Sequence, residues 1–534
     1  MKYYVFRNTT VEPLFKADEV LFSGYEDISS IDLYAETFVW FYILPPQTNS
    51  NIAIDQISFY FSNLKMVFQQ IPKNKLFCIF TLSDLYSTNI QTGDFSLLKA
   101  INEFNLNIIQ LANENQNIKV IDSLSFYKRY SGEQLIDWKY YYISQMLLNP
   151  KLAKDFKGWF QTQMNAIHMR RKKCIVLDLD NTLWGGVLGE EGISGIKIGG
   201  DYPGSAFLEF QKSLLELSKL GIILTVCSKN NESDVIEAWE KNTNLLIRKE
   251  HIAAYKINWN NKAENIKLLS EELNIGLDSM VFVDDNPAER ELVKQIWPMV
   301  ETPEFPNQPY LLPPFVKNLI CNYFQIYHVT NEDKAKTEQY KSNAERLDFQ
   351  KQFTKFSEYL ESLEIQIELQ KANEYNISRI AQMTQKTNQF NLTTQRYTES
   401  DILDFVKKNN AVYCINIKDK FGDNGITGIM IIELDYPTLS AKINSLLLSC
   451  RVLGKNIEDA FVFYVMNLLK SEGFKTLYAT YIPTSKNEQV KMYYEKLGFT
   501  FLAGNNSEND TKNYFIDLTL SDFKIEPYYK IEIQ

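Results

Sequence analysis

Three short apolar runs, each ending in polar residues, constrain the fold of this 534-residue chain more than any other feature. They are KKCIVLDLD at Lys172–Asp180, GIILTVCS at Gly221–Ser228 and SMVFVDD at Ser279–Asp285. Continuous apolarity is typical of strands that are buried on both faces of a parallel sheet. In residues 205–220 and 261–274, apolar side chains recur at helical spacing, which predicts helices between these strands. We therefore expect a central, Rossmann-like parallel α/β domain over residues 166–325.

Two further blocks flank this centre, and together they predict an α/β multidomain protein. Residues 1–165 alternate short apolar runs with longer amphipathic ones, which indicates an N-terminal α/β layer domain. Residues 326–363 are charged and helix-prone, and we interpret them as a helical connector. From residue 364 to 534, regularly spaced strands precede a helix near 457–470, which indicates an α+β domain. A mass of 62.2 kDa agrees with about three domains.

Composition excludes several classes of function. The net charge of −10 and the pI of about 5.2 give no sign of the basic face that nucleic-acid binding needs. No stretch has the roughly 18 apolar residues of a membrane span, and the N-terminus lacks the apolar core of a signal peptide. None of the six cysteines forms a CxxC pair, so a thiolate zinc site is not expected. We expect a cytoplasmic protein with reduced thiols.

Charged and hydroxyl side chains occur where the central strands end. Asp178 and Asp180 close the first run, Ser228 closes the second, and Asp284 closes the third, with Lys262 between them in NWNNK. In open α/β folds, ligands bind at the carboxyl edge of the sheet. Two carboxylates at one strand end can also merely cap a turn. That alternative does not account for a lysine and a further aspartate pair at other strand ends.

In this order the residues resemble the four motifs of the haloacid dehalogenase (HAD) superfamily of phosphotransferases. The resemblance implies that Asp178 attacks phosphorus and forms an aspartyl-phosphate. Asp180 would protonate the leaving oxygen and then activate water. Ser228 and Lys262 would bind the phosphoryl group. Mg²⁺ would be held by Asp178, the Asp180 carbonyl and Asp284, with Asp285 outside the ligand set.

The spacing of the motifs predicts a capless HAD domain with an open site. No large insertion separates Thr182 from the second apolar run or precedes Asp284. The glycine-rich segment Trp184–Glu190 follows the proposed nucleophile directly, and its glycines permit a tight flap near the phosphate. A purely structural turn is the alternative.

Seven phrases together resemble the FkbH-like family: LDLDNTLWGGVLGEEG, TVCSKNN, NWNNKAENI, VFVDDNPAERELV, KTNQFNLTTQRYT, FGDNG and SCRVLGK. The resemblance implies a HAD phosphatase joined to an acyltransferase-like domain, with a degenerate SGNH-hydrolase-like (flavodoxin-like) N-terminal domain. It implies that 1,3-bisphosphoglycerate is dephosphorylated and delivered as a glyceryl thioester to an acyl carrier protein. One alternative is a Mg²⁺-dependent phosphatase on another small or sugar phosphate, with the C-terminal domain acylating a glycan precursor. A non-enzymatic assembly protein is another.

The C-terminal block resembles the GNAT acyltransferase fold. Arg451 and Gly454 match a loop that, in that family, holds CoA or a phosphopantetheine arm at a helix start. Asn456 replaces a small residue there and is a good helix N-cap. Tyr494 matches the family's acid. Cys450 is the candidate thiol for the acyl group, with a buried core cysteine as the alternative.

Two further expectations concern residues outside these motifs. A polar cluster at Asn388, Gln389, Asn391, Thr393 and Thr394 would line an acyl pocket or form a capping turn. Residues 1–167 contain no histidine. We therefore expect no esterase activity from the N-terminal block, which would act as a scaffold or docking domain.

Overall fold

The computed structural model describes residues 2–15, 19–46, 50–86, 91, 93–329, 339–340, 342, 346, 349–350, 352–449, 452–484, 486–502, 511–520 and 522–533. Two of the predicted site residues, Cys450 and Arg451, lie outside these described residues. The chain divides into two compact units, Met1–Ile167 with Thr398–Asp401, and His168–Tyr397 with Ile402–Gln534.

The first unit is built on a parallel sheet. Its strands are β1 (Tyr3–Arg7), β2 (Val20–Tyr25), β3 (Thr37–Phe41), β4 (Leu76–Phe80) and β5 (Ile118–Ile121). Its helices are α1 (Ser50–Gln70), α2 (Ser96–Glu114), α3 (Leu124–Tyr127), α4 (Gly132–Leu135), α5 (Trp138–Ser144) and α6 (Ala153–Ile167). The strand order is β2-β1-β3-β4-β5, and every adjacent pair is parallel. Alternate residues of β3 enter different cores, Val39 and Phe41 on one face and Phe38 and Trp40 on the other. The predicted α/β layer fold is confirmed.

The central sheet of the second unit is also parallel. Its strands are β6 (Cys174–Leu177), β7 (Ile223–Ser228), β8 (Ala254–Ile257) and β9 (Met280–Val283), in the order β8-β7-β6-β9. Its helices are α7 (Leu188–Gly195), α8 (Gly204–Lys219), α9 (Glu232–Lys241), α10 (Lys262–Glu272), α11 (Pro287–Ile296) and α12 (Leu312–Leu319). All residues of β6, β7 and β9 are buried, as their continuous apolarity predicts.

The central sheet carries no inserted cap domain. Throughout residues 174–283, all of which the structure describes, the only continuous helices longer than a single turn are α8, α9 and α10, and the short α7 is broken at Gly192. The predicted capless arrangement is therefore confirmed. Because the four strands are parallel, the segments that follow them all leave from one edge of the sheet.

The remainder of the second unit has a mixed sheet. Its strands are β10 (Gln366–Lys371), β11 (Phe390–Asn391), β12 (Ala411–Asp419), β13 (Gly422–Asp435), β14 (Ser440–Leu448), β15 (Thr476–Tyr481), β16 (Thr500–Leu502), β17 (Lys512–Asp517) and β18 (Lys530–Ile533). Its helices are α13 (Phe356–Ser362), α14 (Ile377–Lys386), α15 (Glu399–Lys407), α16 (Ile457–Ser471) and α17 (Tyr493–Lys496), and the first three residues of α15 belong to the first unit. The order is β16-β17-β15-β14-β13-β12-β10-β18, with β11 paired to β14. Most pairs are antiparallel, which agrees with the predicted α+β class.

No helix in the described part of the chain is both long enough and apolar enough to cross a membrane.

Two glycines provide a test of how tightly the segment that precedes α8 is packed. At Gly204, a Cβ atom would clash with the Gly199 carbonyl oxygen, whereas at Gly158 in α6 it would meet nothing within 4 Å. We expect Gly204→Ala to lower the free energy of unfolding by about 1–3 kcal/mol, because a backbone atom cannot move aside cheaply. Gly158→Ala, the control, should raise it by up to about 1 kcal/mol through helix propensity.

Urea unfolding of the two full-length variants measures both effects. A Gly204→Ala protein as stable as the parent would contradict the tight contact between the start of α8 and residue 199.

Candidate active site

Three of the predicted side chains converge at the carboxyl edge of the central sheet. Asp178 directly follows β6 and Asp284 directly follows β9, and these strands are parallel neighbours with Leu177 paired to Val283. Lys262 is the first residue of α10, a helix whose start is capped by the Asn261 side chain. The Lys262 Nζ atom lies 3.0 Å from Asp178 Oδ1 and 2.6 Å from Asp284 Oδ2. The strand register therefore places the two carboxylates side by side, with the ammonium between them.

This group is buried, and its charges shift one another's pKa values. Asp178 is 6% exposed, Lys262 3% and Asp284 0%. Burial and the negative charge of Asp178 raise the pKa of Asp284 to about 6, although Lys262 opposes the shift. Burial alone would lower the pKa of Lys262, but Asp178 and Asp284 outweigh it and raise that pKa above its ordinary value. The lysine thus stays an ammonium ion.

The same edge offers a set of hard oxygen ligands. Carboxylate oxygens of Asp178, Asp284 and Asp285 lie within 4.8 Å of one another. The Asp285 backbone N–H donates to Thr182 Oγ1 at 3.1 Å, and Arg290 donates to the carbonyl oxygens of Asp284 and Asp285 at 2.6 and 2.8 Å. Oxygen donors with surplus negative charge suit a divalent cation. The structure thus brings Asp285, which we expected outside the ligand set, into this group.

Asp180 lies at the same edge, but its carboxylate is held by other partners. The Trp184 indole N–H donates to Oδ1 at 2.9 Å, and the Leu188 backbone N–H donates to the same oxygen at 3.0 Å. The Asn230 amide donates to Oδ2 at 2.9 Å. Sequence reasoning assigned no role to Asn230 and treated Trp184 only as part of a flap. The position of Asn230 in TVCSKNN, just past a strand end, was the available signal.

Ser228 ends β7, where its side chain is buried. Its Oγ atom lies 3.4 Å from the Asn230 amide nitrogen, so it lies near the partners of Asp180. The neighbouring Cys227 thiol instead contacts the Lys262 carbonyl oxygen at 3.7 Å. Burial raises the pKa of Cys227 to about 12, which leaves it an unreactive thiol.

The glycine-rich segment after Asp180 is a packed turn. Gly185 and Lys197 exchange backbone hydrogen bonds of 3.0 and 2.7 Å, and the Gly186 N–H donates to Asn181 Oδ1 at 2.9 Å. A Cβ atom at Gly185 would lie 2.9 Å from the Phe207 ring. Gly186 has a φ of +92°, a conformation that favours glycine. These contacts favour the structural alternative for the segment.

The predicted acyltransferase residues differ in their surroundings. Tyr494 is 1% exposed, and its ring contacts Phe499 and Tyr514. Burial raises its pKa above the ordinary value, and its hydroxyl has no hydrogen-bond partner among the described residues. Gly454 has a φ of +80°, and a Cβ atom there would meet nothing within 4 Å. Asn456 precedes α16, but its side chain makes no capping hydrogen bond, so the expectation of an asparagine cap is wrong.

The polar cluster around residue 391 holds a turn together. Asn391 accepts the backbone N–H of Thr394 at 2.8 Å and donates to the Thr387 carbonyl at 3.2 Å. Asn487, which is fully buried, donates to the Asn391 carbonyl at 2.9 Å. These bonds favour the capping turn over an acyl pocket as the role of Asn391.

Comparison with known proteins supports a phosphatase assignment for the centre of the chain. Residues 173–308 match the model of the NLI interacting factor-like phosphatase family. The chain is also similar to the crystal structure of the N-terminal part of BF1531 from Bacteroides fragilis, which contains a phosphatase domain complexed with Mg. That match has 26% identity and a TM-score of 0.53, and covers 61% of this chain and 94% of the other. Residues 173–308 of this chain therefore form a domain that is similar to phosphatase domains.

Acetyltransferase structures match the chain over a smaller share. An N-acetyltransferase from Staphylococcus aureus has 14% identity and a TM-score of 0.22, and covers 28% of this chain and 98% of that one. A Bacillus subtilis acetyltransferase solved with CoA has 14% identity and a TM-score of 0.21, and covers 29% and 98%. No curated protein gives a significant match.

The buried lysine gives a direct test of the site's electrostatics. In metal-free buffer, Lys262→Met should lower the free energy of unfolding by about 3–5 kcal/mol, because it leaves two buried carboxylates without their counter-charge. Lys229→Met is the matched control. Lys229 pairs with Glu289 at 2.6 Å but is partly exposed, so its loss should cost at most about 1 kcal/mol.

Urea unfolding monitored by circular dichroism distinguishes the two variants. Equal stabilities for Lys262→Met and Lys229→Met would show that the buried contact does not hold the site together.

Proposed function

We propose that the chain is a Mg²⁺-dependent phosphatase that acts through an aspartyl-phosphate on Asp178. The observation that carries this proposal is the buried contact of Lys262 with Asp178 and Asp284, beside a third carboxylate, in a phosphatase-like domain. Asp178, Asp284 and Asp285 would hold Mg²⁺ through their carboxylate oxygens. When bound, Mg²⁺ neutralises the anionic phosphate and so permits attack by a carboxylate.

The residues of the chain divide the phosphoryl transfer among them. An Asp178 oxygen forms the new bond to phosphorus as the bond to the substrate's leaving oxygen breaks. Asp180 delivers the proton to that leaving oxygen and later takes one from the water that hydrolyses the aspartyl-phosphate. Ser228 donates its hydroxyl to a phosphoryl oxygen, and the Lys262 ammonium offsets the charge that develops there.

The nucleophile can be tested by substitution. We expect Asp178→Asn to lower phosphate release from monoesters in Mg²⁺ by more than about a thousandfold, because the amide cannot form the covalent intermediate. Asp201→Asn, a change at an exposed aspartate of the same unit, should leave the rate unchanged. Inorganic phosphate is the quantity measured. Full activity in Asp178→Asn would overturn the assignment.

We propose further that this phosphatase is coupled to acyl transfer from 1,3-bisphosphoglycerate to an acyl carrier protein. The Cys450 thiolate would attack the acyl carbon of the activated carboxyl phosphate, breaking the carbon–oxygen bond and releasing inorganic phosphate. The remaining phosphate is a stable monoester, and its removal would need the Asp178 site. This proposal rests on the likeness of the sequence phrases to the FkbH-like family.

In the proposed acyl transfer, the loop at the start of α16 binds the carrier of the acyl group. Arg451 and Gly454 would hold the phosphopantetheine arm, or CoA, beside the helix N-terminus. The open space at Gly454 and its positive φ support a close approach of the arm to the backbone. Tyr494 would supply a proton only if its buried hydroxyl met the substrate.

Intact-mass measurement tests the coupled reaction. After incubation with Mg²⁺ and 1,3-bisphosphoglycerate, we expect a glyceryl adduct on the parent protein, none on Cys450→Ala, and a phosphoglyceryl adduct on Asp178→Asn. Cys321→Ala, at a partly exposed cysteine, is the matched control and should retain the adduct. Phosphate release from sugar phosphates with no adduct would overturn the thioester proposal and leave the phosphatase.

A further inference from the structure

Asn230 contacts both a predicted proton donor and a predicted phosphate ligand. Its amide nitrogen lies 2.9 Å from Asp180 Oδ2 and 3.4 Å from Ser228 Oγ. Asn230 is 5% exposed and belongs to the short segment between the end of β7 and the start of α9. A side-chain amide has two N–H groups, so one nitrogen can serve both oxygens at once.

The other oxygen of Asp180 is fixed from the opposite direction. Trp184, which is fully buried, and the Leu188 backbone both donate to Oδ1. Asn230 donates to Oδ2 from the β7 end, whereas Trp184 and Leu188 belong to the segment that follows β6. The plane of the carboxylate is therefore set by donors from two neighbouring strand ends.

We propose that Asn230 is a positioning residue for phosphoryl transfer, which holds the Asp180 carboxylate in register with the Ser228 hydroxyl. This inference rests on the proposed phosphatase function. Ser228 fixes where a phosphoryl oxygen lies, and Asp180 acts on the leaving oxygen of the same phosphate. Because the Asn230 amide contacts both Ser228 and Asp180, it sets the distance between the phosphate and its proton donor. Misplacement of a proton donor by about 1 Å is enough to slow a reaction substantially.

The neighbouring Asn231 supplies a matched control. Asn231 is exposed, donates to Asp234 at 3.1 Å and accepts the Trp259 indole N–H at 3.1 Å. It makes no capping hydrogen bond at the start of α9. Each of the two adjacent asparagines is therefore connected to a different tryptophan. Asn230 and Trp184 both donate to Asp180, whereas Asn231 accepts a hydrogen bond directly from Trp259.

Leaving-group dependence distinguishes positioning from general damage to the fold. Ethyl phosphate has a poor leaving group that needs a proton, whereas para-nitrophenyl phosphate has a good one that does not. We expect Asn230→Ala to lower kcat/KM on ethyl phosphate at least about tenfold more than on para-nitrophenyl phosphate. Asn231→Ala should leave that ratio unchanged. Equal losses on the two substrates would overturn the inference.

A second measurement needs no catalysis. In spectra of the metal-free protein labelled at its seven tryptophan indoles, Trp184→Phe assigns one N–H signal and Trp259→Phe another. Asn230→Ala should shift the Trp184 signal, because both residues bind Asp180, and leave the Trp259 signal in place. Asn231→Ala should do the reverse. An unmoved Trp184 signal in Asn230→Ala would contradict the arrangement.

The two proposals fail in different ways. If the parent protein releases no phosphate from either ester, the phosphatase proposal is wrong. If it does, and Asn230→Ala keeps both the leaving-group ratio and the Trp184 signal, only the role of Asn230 is wrong.

Discussion

The ammonium of Lys262 lies in a buried gap between the carboxylates of Asp178 and Asp284, and the carboxyl edge of the central sheet depends on this contact. The two aspartates are adjacent because β6 and β9 are parallel and in register. Without a positive charge between them, two buried carboxylates could not both be ionised. The lysine therefore permits a concentration of acidic groups that the apolar sheet alone would exclude.

The ammonium of Lys262 carries one positive charge, which does not balance the carboxylates of Asp178, Asp284 and Asp285. The site therefore has a surplus of negative charge. This surplus would favour a cation of higher charge, such as the proposed Mg²⁺, which would offset the charge of a phosphate that the carboxylates alone would repel. Burial, and after it the negative charge of Asp178, raises the pKa of Asp284. Asp180 lies apart from this group, held by N–H donors, which is consistent with a separate role in proton transfer.

Sequence reasoning predicted the three apolar strands and the convergence of Asp178, Lys262 and Asp284, because strand ends of a parallel sheet share one edge. It missed β8, whose two middle residues are only partly buried and which carries no continuous apolar run. It also missed the place of Asp285 and the contacts of Asn230 and Trp184, which depend on loop paths that no spacing rule encodes. In the C-terminal part, residue type predicted that Asn456 would cap the start of α16. The backbone of Asn456 instead adopts a left-handed conformation, and its side chain makes no hydrogen bond to the helix N-terminus.

The central claim is that Asp178 becomes covalently phosphorylated, and rapid acid quenching of the full chain with Mg²⁺ and a phosphomonoester tests it most directly. Mass spectrometry of the digested protein should find a phosphoryl-sized increase on the peptide that contains Asp178, removed by hydroxylamine as expected for an acyl phosphate. Phosphate release with the phosphoryl group on another residue, or with no phosphorylated protein at any quench time, would contradict the account.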